Sequence, residues 1–326
     1  MAQKFAFVNN KGGSAKTTTV VNLAGALHVR YPDKKILIFE VDGQGNATRS
    51  FSLNPKDYKI SAENIYLGLN SADEAIIKNV ADNIDLIPGN DDLNFLEFDK
   101  MQDAEETLPD STVQVTDVLK DQLKKKIQDT ANLRRSDILN LIDTAFSANN
   151  VQTLIKRTQS FPSKNYFNML SGKIDKINEE YDYIFFDTPP ELKAVTSSVL
   201  AVCDKVIIPY EPDSYSVDGI KNIIERIHTV KKEYNPKLEI GGLLASKFKN
   251  TNVHRDTVLL ITDFANTVGI PFFSTRIPAT VAFPNSITSY GKPATLAKKI
   301  GKQRQKFVNY YFMLLDEMID KKILTV

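Results

Sequence analysis

Between residues 11 and 18 the chain reads Lys11-Gly12-Gly13-Ser14-Ala15-Lys16-Thr17-Thr18, residue types suited to holding phosphate. Adjacent glycines let the backbone bend until its N–H groups surround anionic oxygens, and a helix opening directly afterwards adds the positive end of its dipole. Lys16 would then reach the β- and γ-phosphates of a nucleotide, and the Thr17 hydroxyl would ligate Mg²⁺. The segment is not a plain G-x-x-x-x-G-K-[ST] loop, because Asn10 and Ala15 occupy its two glycine positions. A Cβ at residue 15 is expected to crowd the β-phosphate or to strain a turn that glycine would relax.

The surrounding elements must present this segment at the edge of a sheet. Short aliphatic and β-branched runs at residues 5–8, 36–41, 84–87, 184–186, 206–208 and 238–244 read as buried strands. Helical spacing follows two of them, with Val20, Val21, Ala24 and Leu27 after the first and Ile220, Ile223, Ile224 and Ile227 after the fifth. This alternation predicts an α/β fold, a doubly wound and mainly parallel sheet with helices on both faces. From about 101 to 177 the rhythm gives way to charge-rich helical patterns, read as a helical insertion in a single domain spanning 1–326. Acidic residues gather there at Asp103 to Asp110 and basic ones at Lys120 to Lys126, while Leu139, Leu141, Ile142 and Phe146 offer an apolar face. A basic C-terminal helix is expected over about 294–322, with Phe307, Tyr311, Leu314, Leu315 and Met318 on one side.

Composition narrows the setting. A chain of 326 residues, 42% hydrophobic and 25% charged with a formal net charge of +1, is that of a soluble globular protein. Such a balance argues against a uniformly basic nucleic-acid binder but leaves room for a local patch. The single cysteine, Cys203, can form neither an internal disulfide nor a thiolate metal site, so a reducing, cytoplasmic compartment is expected. No apolar run approaches the roughly 20 residues of a membrane helix, and Phe5-Ala6-Phe7-Val8 is a strand in place of a signal-peptide core.

The run K-G-G-x-x-K-T-T resembles the deviant Walker A box, K-G-G-x-G-K-[ST], of the ParA/MinD family of P-loop ATPases. Phe39-Glu40-Val41-Asp42-Gly43-Gln44-Gly45-Asn46-Ala47-Thr48 is similar to the family segment D-x-D-P-Q-G-N-A-T, with Glu40 in place of the first aspartate and Gly43 in place of proline. Tyr183-Ile184-Phe185-Phe186-Asp187 looks like a Walker B strand, and segments near Pro209, Gly242, Ile277-Pro278 and Tyr290-Gly291-Lys292-Pro293 fall where ParA-type chains carry similar ones. The resemblance implies that ATP and Mg²⁺ are the cofactors. It makes Lys11, Lys16 and Asp42 the catalytic set, with Lys11 crossing a sandwich dimer to the phosphates held by a second copy and Asp42 orienting the attacking water. Lys11 to Thr18 would hold the phosphates, Thr17, Asp42 and Asp187 the metal, and Ser246 and Pro278 would flank the adenine. The changes at Glu40 and Gly43 point to slow or poorly coupled hydrolysis.

ParA-type ATPases bind double-stranded DNA without sequence preference when dimerised by ATP. Lys292, Lys298, Lys299, Lys302, Arg304 and Lys306 lie in a segment without an acidic residue before Asp316, and Lys247, Lys249 and Arg255 precede a separate helix. These could form a phosphate-contacting stripe, or be the solvated face of an amphipathic helix. The familiar I-P-R-x-x-R is absent, since Ile277-Pro278 is followed by Ala279 and Ala282. The phosphate loop begins about ten residues from Met1, which leaves no room ahead of it for a helix-turn-helix domain.

The resemblance thus implies a plasmid or chromosome partition ATPase, nucleoid-associated in the cytoplasm, reset by a ParB-like centromere-binding partner, with Asp103 to Asp110 one guess for its docking surface. Two alternatives stand beside it: a MinD-like membrane-associated positioning ATPase, and a non-hydrolysing nucleotide-dependent scaffold or replication regulator. Asp316, Glu317 and Asp320 in the last helix oppose the first, because they repel anionic lipid. An iron–sulfur protein of the nitrogenase type needs two cysteines per subunit, which this chain lacks.

Overall fold

Ile36-Leu37-Ile38-Phe39 and Tyr183-Ile184-Phe185-Phe186 are apolar at every position, so neither face of either run can be turned to water. Both are interior strands of a seven-stranded sheet. The computed structural model describes residues 1–95, 167–190, 192–213, 216–297 and 301–326, with the backbone alone at 94, 95 and 302–304. The backbone divides into two units, residues 1–94 with 166–326, and residues 95–165. The sheet belongs to the first unit.

The strands are β1 (Gln3–Phe7), β2 (Ile36–Glu40), β3 (Ile77–Ala81), β4 (Ile84–Ile87), β5 (Tyr183–Asp187), β6 (Lys205–Tyr210) and β7 (Glu239–Ala245), in spatial order β3-β4-β2-β5-β1-β6-β7. All pairs are parallel except β3 with β4. Alternate residues face opposite ways. Phe5, Phe7, Ile36, Ile38, Ile84, Leu86, Tyr183, Phe185 and Ile207 pack with α1 (Lys16–Arg30) and α9 (Lys302–Asp320). The intervening Ala6, Leu37, Phe39, Ile184, Phe186, Val206 and Ile208 are equally buried. Helices α5 (Ala194–Val202) and α6 (Ser216–Glu233) bury Val195, Val199, Leu200, Ile220, Ile223, Ile224 and Ile227. This is the doubly wound α/β architecture expected from the strand and helix alternation.

β3 is not among the expected strands. Lys78 and Asn79 interrupt its apolar pattern, and Asn79 takes a left-handed φ of 53°, so the residues carry no strand period. Tertiary bonds hold it instead: Asp85 accepts from the Asn79 amide at 2.6 Å and from the Tyr181 hydroxyl at 2.5 Å, and pairs with Lys78 at 3.2 Å. Of the expected insertion, residues 101–166 lie outside the described residues, as do its acidic and basic clusters. Its last part places Phe167, Met169, Leu170, Ile174 and Ile177 in the core, the last within α4 (Asp175–Glu180).

The last helix begins at Lys302, with a separate 3₁₀ turn at Ala294–Leu296 before it. Tyr311, Leu314, Leu315 and Met318 are fully buried, and Phe283 meets Tyr311 edge-on at 5.1 Å. Tyr311 lies by Thr19, whereas Asp316 pairs with Arg30 at 3.0 Å. α9 therefore runs in the same sense as α1, with its first turns on the side of α1's N-terminus. The end of the helix is also tied down. Glu317 accepts from the amides of Ser274 at 2.6 Å and Thr275 at 2.9 Å and pairs with Lys321 at 2.8 Å. None of the described helices is long and apolar enough to cross a membrane.

Candidate phosphate-binding site

The register of the three central strands creates the site. Asp187, at the end of β5, stands opposite Phe7 of β1 on one side and Glu40 of β2 on the other. The three strands end level, so the segments that leave them converge at the carboxyl edge of the sheet, where ligands of open α/β folds bind.

The loop leaving β1 is shaped by Asn9. Its side-chain amide donates to the Pro209 carbonyl at 2.6 Å, and its side-chain oxygen accepts from the Lys11 amide at 2.8 Å. Gly13 then adopts φ 75° and Ala15 φ 68° with ψ 27°. Of the two outcomes expected for Ala15, strain is therefore present, since the left-handed region is one that alanine adopts only at an energetic penalty. Ala15 precedes α1 and contributes no side-chain cap, and the first turn of that helix has no acidic residue. The α1 N–H groups are thus left for an external anion.

Lys16 is buried, with Nζ donating to the Asn9 carbonyl at 3.3 Å. Burial pulls its pKa below the ordinary lysine value, against the attraction of Asp187 and Asp42. Asp187 is fully buried, and among the described residues neither of its carboxylate oxygens is in a hydrogen bond of normal geometry, although the Thr17 hydroxyl is near enough to favour its charge; the Ser14 hydroxyl is orphaned as well. Burial, followed by Glu40 and Asp42, raises the Asp187 pKa well above the carboxylate range, with the Thr17 hydroxyl and Lys16 working against it. Buried polar atoms without partners are rare and mark places where a ligand completes the bonding. A buried lysine, together with a hydroxyl and a carboxylate left without partners, around open helix N–H groups fits a nucleotide's phosphates with a Mg²⁺. Among the described residues no cluster of three or more His, Cys, Asp or Glu could hold a metal by itself.

Asp42 is held by the Gln44 amide, which donates to Oδ1 at 2.9 Å, and burial raises its pKa. Glu40 has a different task. Its carboxylate accepts from the amides of Ala47 at 2.6 Å, Thr48 at 3.2 Å and Gly89 at 3.1 Å, and from the Thr48 hydroxyl. It caps α2 (Asn46–Arg49), the helix before α3 (Ala62–Leu67), and fastens the Asp42 loop to the exit of β4. Burial raises its pKa to about 7, against those four donors. Gly89 is required here, because a Cβ would lie 2.4 Å from the Asp42 carbonyl oxygen.

Lys11 projects outward with its side chain 47% exposed and forms an ion pair with Asp213 of the same chain. Ser246 is buried and donates its amide to the Tyr210 carbonyl at 2.7 Å. Pro278 lies beside it, since Phe248 bridges to Pro278, donates to the Ile277 carbonyl at 2.9 Å and accepts from the Ala279 amide at 2.9 Å. Between them, Lys247 brings its Nζ to 3.4 Å from the point where a Cβ on Gly13 would stand.

The remaining basic residues stand on separate segments. Lys249 and Arg255 are exposed around the start of α7 (Asn252–Val268), Arg255 donating to Asn250 at 3.3 Å and Asn252 at 2.7 Å. Lys292 is exposed after α8 (Ala282–Tyr290), and Lys306 is exposed on α9 with its Nζ 5.0 Å from the Phe307 ring centroid. Lys302 and Arg304 belong to the first turn of α9, while Lys298 and Lys299 lie outside the described residues. Sequence reasoning passed over Asn9, Gly89 and Asp213. Their partners are up to about two hundred residues away, and no local pattern marks them.

Comparison with known proteins agrees with this geometry. A ParA family protein of Mycoplasma pneumoniae is 27% identical over 275 residues, covering 82% of this chain and 79% of the relative. A ParA family protein of Mycoplasma genitalium is 25% identical over 326 residues, covering 96% of each chain. Among solved structures, apo McdA from Cyanothece superposes with a TM-score of 0.67 at 15% identity over 98% of this chain and 100% of that one, a likeness of fold. The profile of the AAA_31 family, described as an AAA domain, matches residues 2–125 and 98–240. Since those residues make up well over half of the chain, the protein belongs to the AAA_31 family and is a ParA-type P-loop ATPase by kinship.

Proposed function

We propose that this protein is an ATP-driven DNA-partition switch of the cytoplasm. With ATP and Mg²⁺ bound, two copies close face to face and the dimer holds nucleoid DNA without sequence preference. Hydrolysis, stimulated by a ParB-like centromere-binding partner, releases it.

The observation that carries this reading is the position of Lys11. Lys16 already supplies the ammonium inside the cradle, while Lys11 stands outside it, half exposed and held by the single carboxylate of Asp213. An ion pair this exposed contributes about 0–1 kcal/mol. A charge-assisted bond to the phosphates of a facing copy is worth about 1.5–3 kcal/mol, so the exchange of partners favours the dimer. Within each copy, Thr17 and Asp187 would hold Mg²⁺, which neutralises developing charge on the phosphates when bound. Asp42, fixed by the Gln44 amide, would orient the attacking water. The adenine would lie by Ser246 and Pro278.

DNA would meet Lys249, Arg255, Lys292, Lys298 and Lys299, together with Lys302, Arg304 and Lys306 at the basic start of α9. The sense of α9 supports this for Lys302, Arg304 and Lys306, because it carries the start of that helix toward the end of α1 that bears the phosphate loop. The membrane-seeking alternative needs the apolar side of α9 to be free, and Tyr311, Leu314, Leu315 and Met318 are buried. A non-hydrolysing scaffold is separated from a switch by phosphate release measured with DNA and partner present.

DNA retention by wild type, Lys11→Ala and Lys16→Ala, each with ATP, ADP and no nucleotide, tests the proposal. The expected result is ATP-dependent retention by wild type only. Retention indifferent to nucleotide would refute it.

A further inference from the structure

Lys247 is a long side chain on a backbone conformation that favours glycine. Its φ is 51°, in the left-handed region. The residues on either side explain why this conformation is imposed. Ser246 donates its amide to Tyr210 at 2.7 Å, and Phe248 is laddered to Ile277 and Ala279 at 2.9 Å each, so the turn between them has no freedom to relax. Glycine or asparagine would satisfy such a turn with less strain. What decides whether a lysine there matters is where its ammonium lies.

The ammonium points at the phosphate loop. Its Nζ lies 3.4 Å from the missing Cβ of Gly13, and Gly13 belongs to the segment whose amides face the cradle. The other two lysines of the site are each engaged, Lys11 in an ion pair with Asp213 and Lys16 with the Asn9 carbonyl at 3.3 Å. Among the described residues, no carboxylate pairs with Lys247. An uncommitted cation over a cradle built for a polyphosphate has one complementary partner at hand, the phosphate chain itself.

We infer that Lys247 is a nucleotide-binding residue, closing on the phosphate chain from the strand exit that also borders the base, within one copy of the protein. This places it apart from the DNA-contacting lysines, with which the sequence had grouped it. The inference rests on the nucleotide reading above and extends it to a residue on the far wall of the site.

Binding of a fluorescent ATP analogue and of ADP to wild type, Lys247→Ala, Lys247→Gly, Lys247→Arg and Lys16→Ala tests it, without DNA and at two ionic strengths. Lys247→Ala and Lys247→Gly should each weaken both nucleotides about tenfold, with Arg recovering part of the loss. The gap from wild type should narrow as salt rises, since the lost contact is ionic and exposed. Lys247→Gly relieves the left-handed turn, so its thermal midpoint should hold or rise while affinity falls, which separates binding from folding. Unchanged nucleotide affinity in the Lys247 variants, with Lys16→Ala defective, would overturn the inference and leave the ATPase reading standing. That result with weaker DNA retention would return Lys247 to the DNA surface. Absence of nucleotide binding by wild type would instead remove the reading on which the inference rests.

Discussion

Ala15 stands at φ 68° with its carbonyl accepting from the Thr19 amide at 2.9 Å and the Thr19 hydroxyl at 2.7 Å. Those bonds lock the first turn of α1 and keep alanine in a region that disfavours a Cβ by about 1–2 kcal/mol. Glycine at this position would remove that strain but gain freedom in the unfolded chain worth about 0.4–1 kcal/mol. Ala15→Gly should therefore stabilise the protein by about 0.5–1 kcal/mol, read as a higher urea midpoint at unchanged slope. Glu40 shows how much of a residue's role its letter conceals. The departure from aspartate is plain in the sequence, yet the four donors that make it the anchor of the Asp42 loop come from residues 47, 48 and 89 and appear only on folding. The phosphate loop was legible because its chemistry is contiguous. Asp213 and Lys247 were not, because the first is brought to Lys11 and the second to Gly13 across more than two hundred residues of chain.

At the scale of elements, α9 depends on both ends of its buried side. The apolar spacing of Tyr311, Leu314, Leu315 and Met318 was visible, and so were six of the seven strands, since burial on both faces leaves continuous apolar runs. β3 escaped notice because side-chain bonds from Asp85 hold it, not its own period. The lower end of α9 is likewise fixed by side-chain chemistry. Burial works against the charge of Glu317, but Lys321 and the Ser274 and Thr275 amides hold its pKa below the ordinary value of 4.5. A carboxylate depressed in this sense contributes stability that is present above the unfolded value and is lost as pH falls through the folded one. Glu317→Gln should cost about 1–2 kcal/mol at pH 7, and its gap from wild type should close as the solution is acidified below about 4.5. Chemical denaturation of both proteins at a series of pH values checks the sign.

For the whole molecule, a near-neutral net charge means that any hold on DNA must come from a local surface and not from the overall field. Plotted against log salt, log DNA affinity of the ATP-bound protein should fall with a slope near −0.9 for each phosphate neutralised. Lys306→Gln should make that slope shallower by about 1, measured by fluorescence anisotropy on unrelated duplexes, with equal loss on each. The common level at which β1, β2 and β5 end has one further consequence. Neighbouring strands are spaced about 4.8 Å apart, and sliding one by a residue would turn its buried side chains to the opposite face. The floor under the phosphates, with Asp187 at its centre, is therefore a fixed ruler. In the proposed nucleotide-bound dimer, Lys11, Lys247 and the Asp42 loop would form a roof over it, hung from loops and turns. Under the proposed function that roof would set the timing of capture and release, so substitutions that loosen it should alter exchange rates while leaving the melting of the sheet where it was.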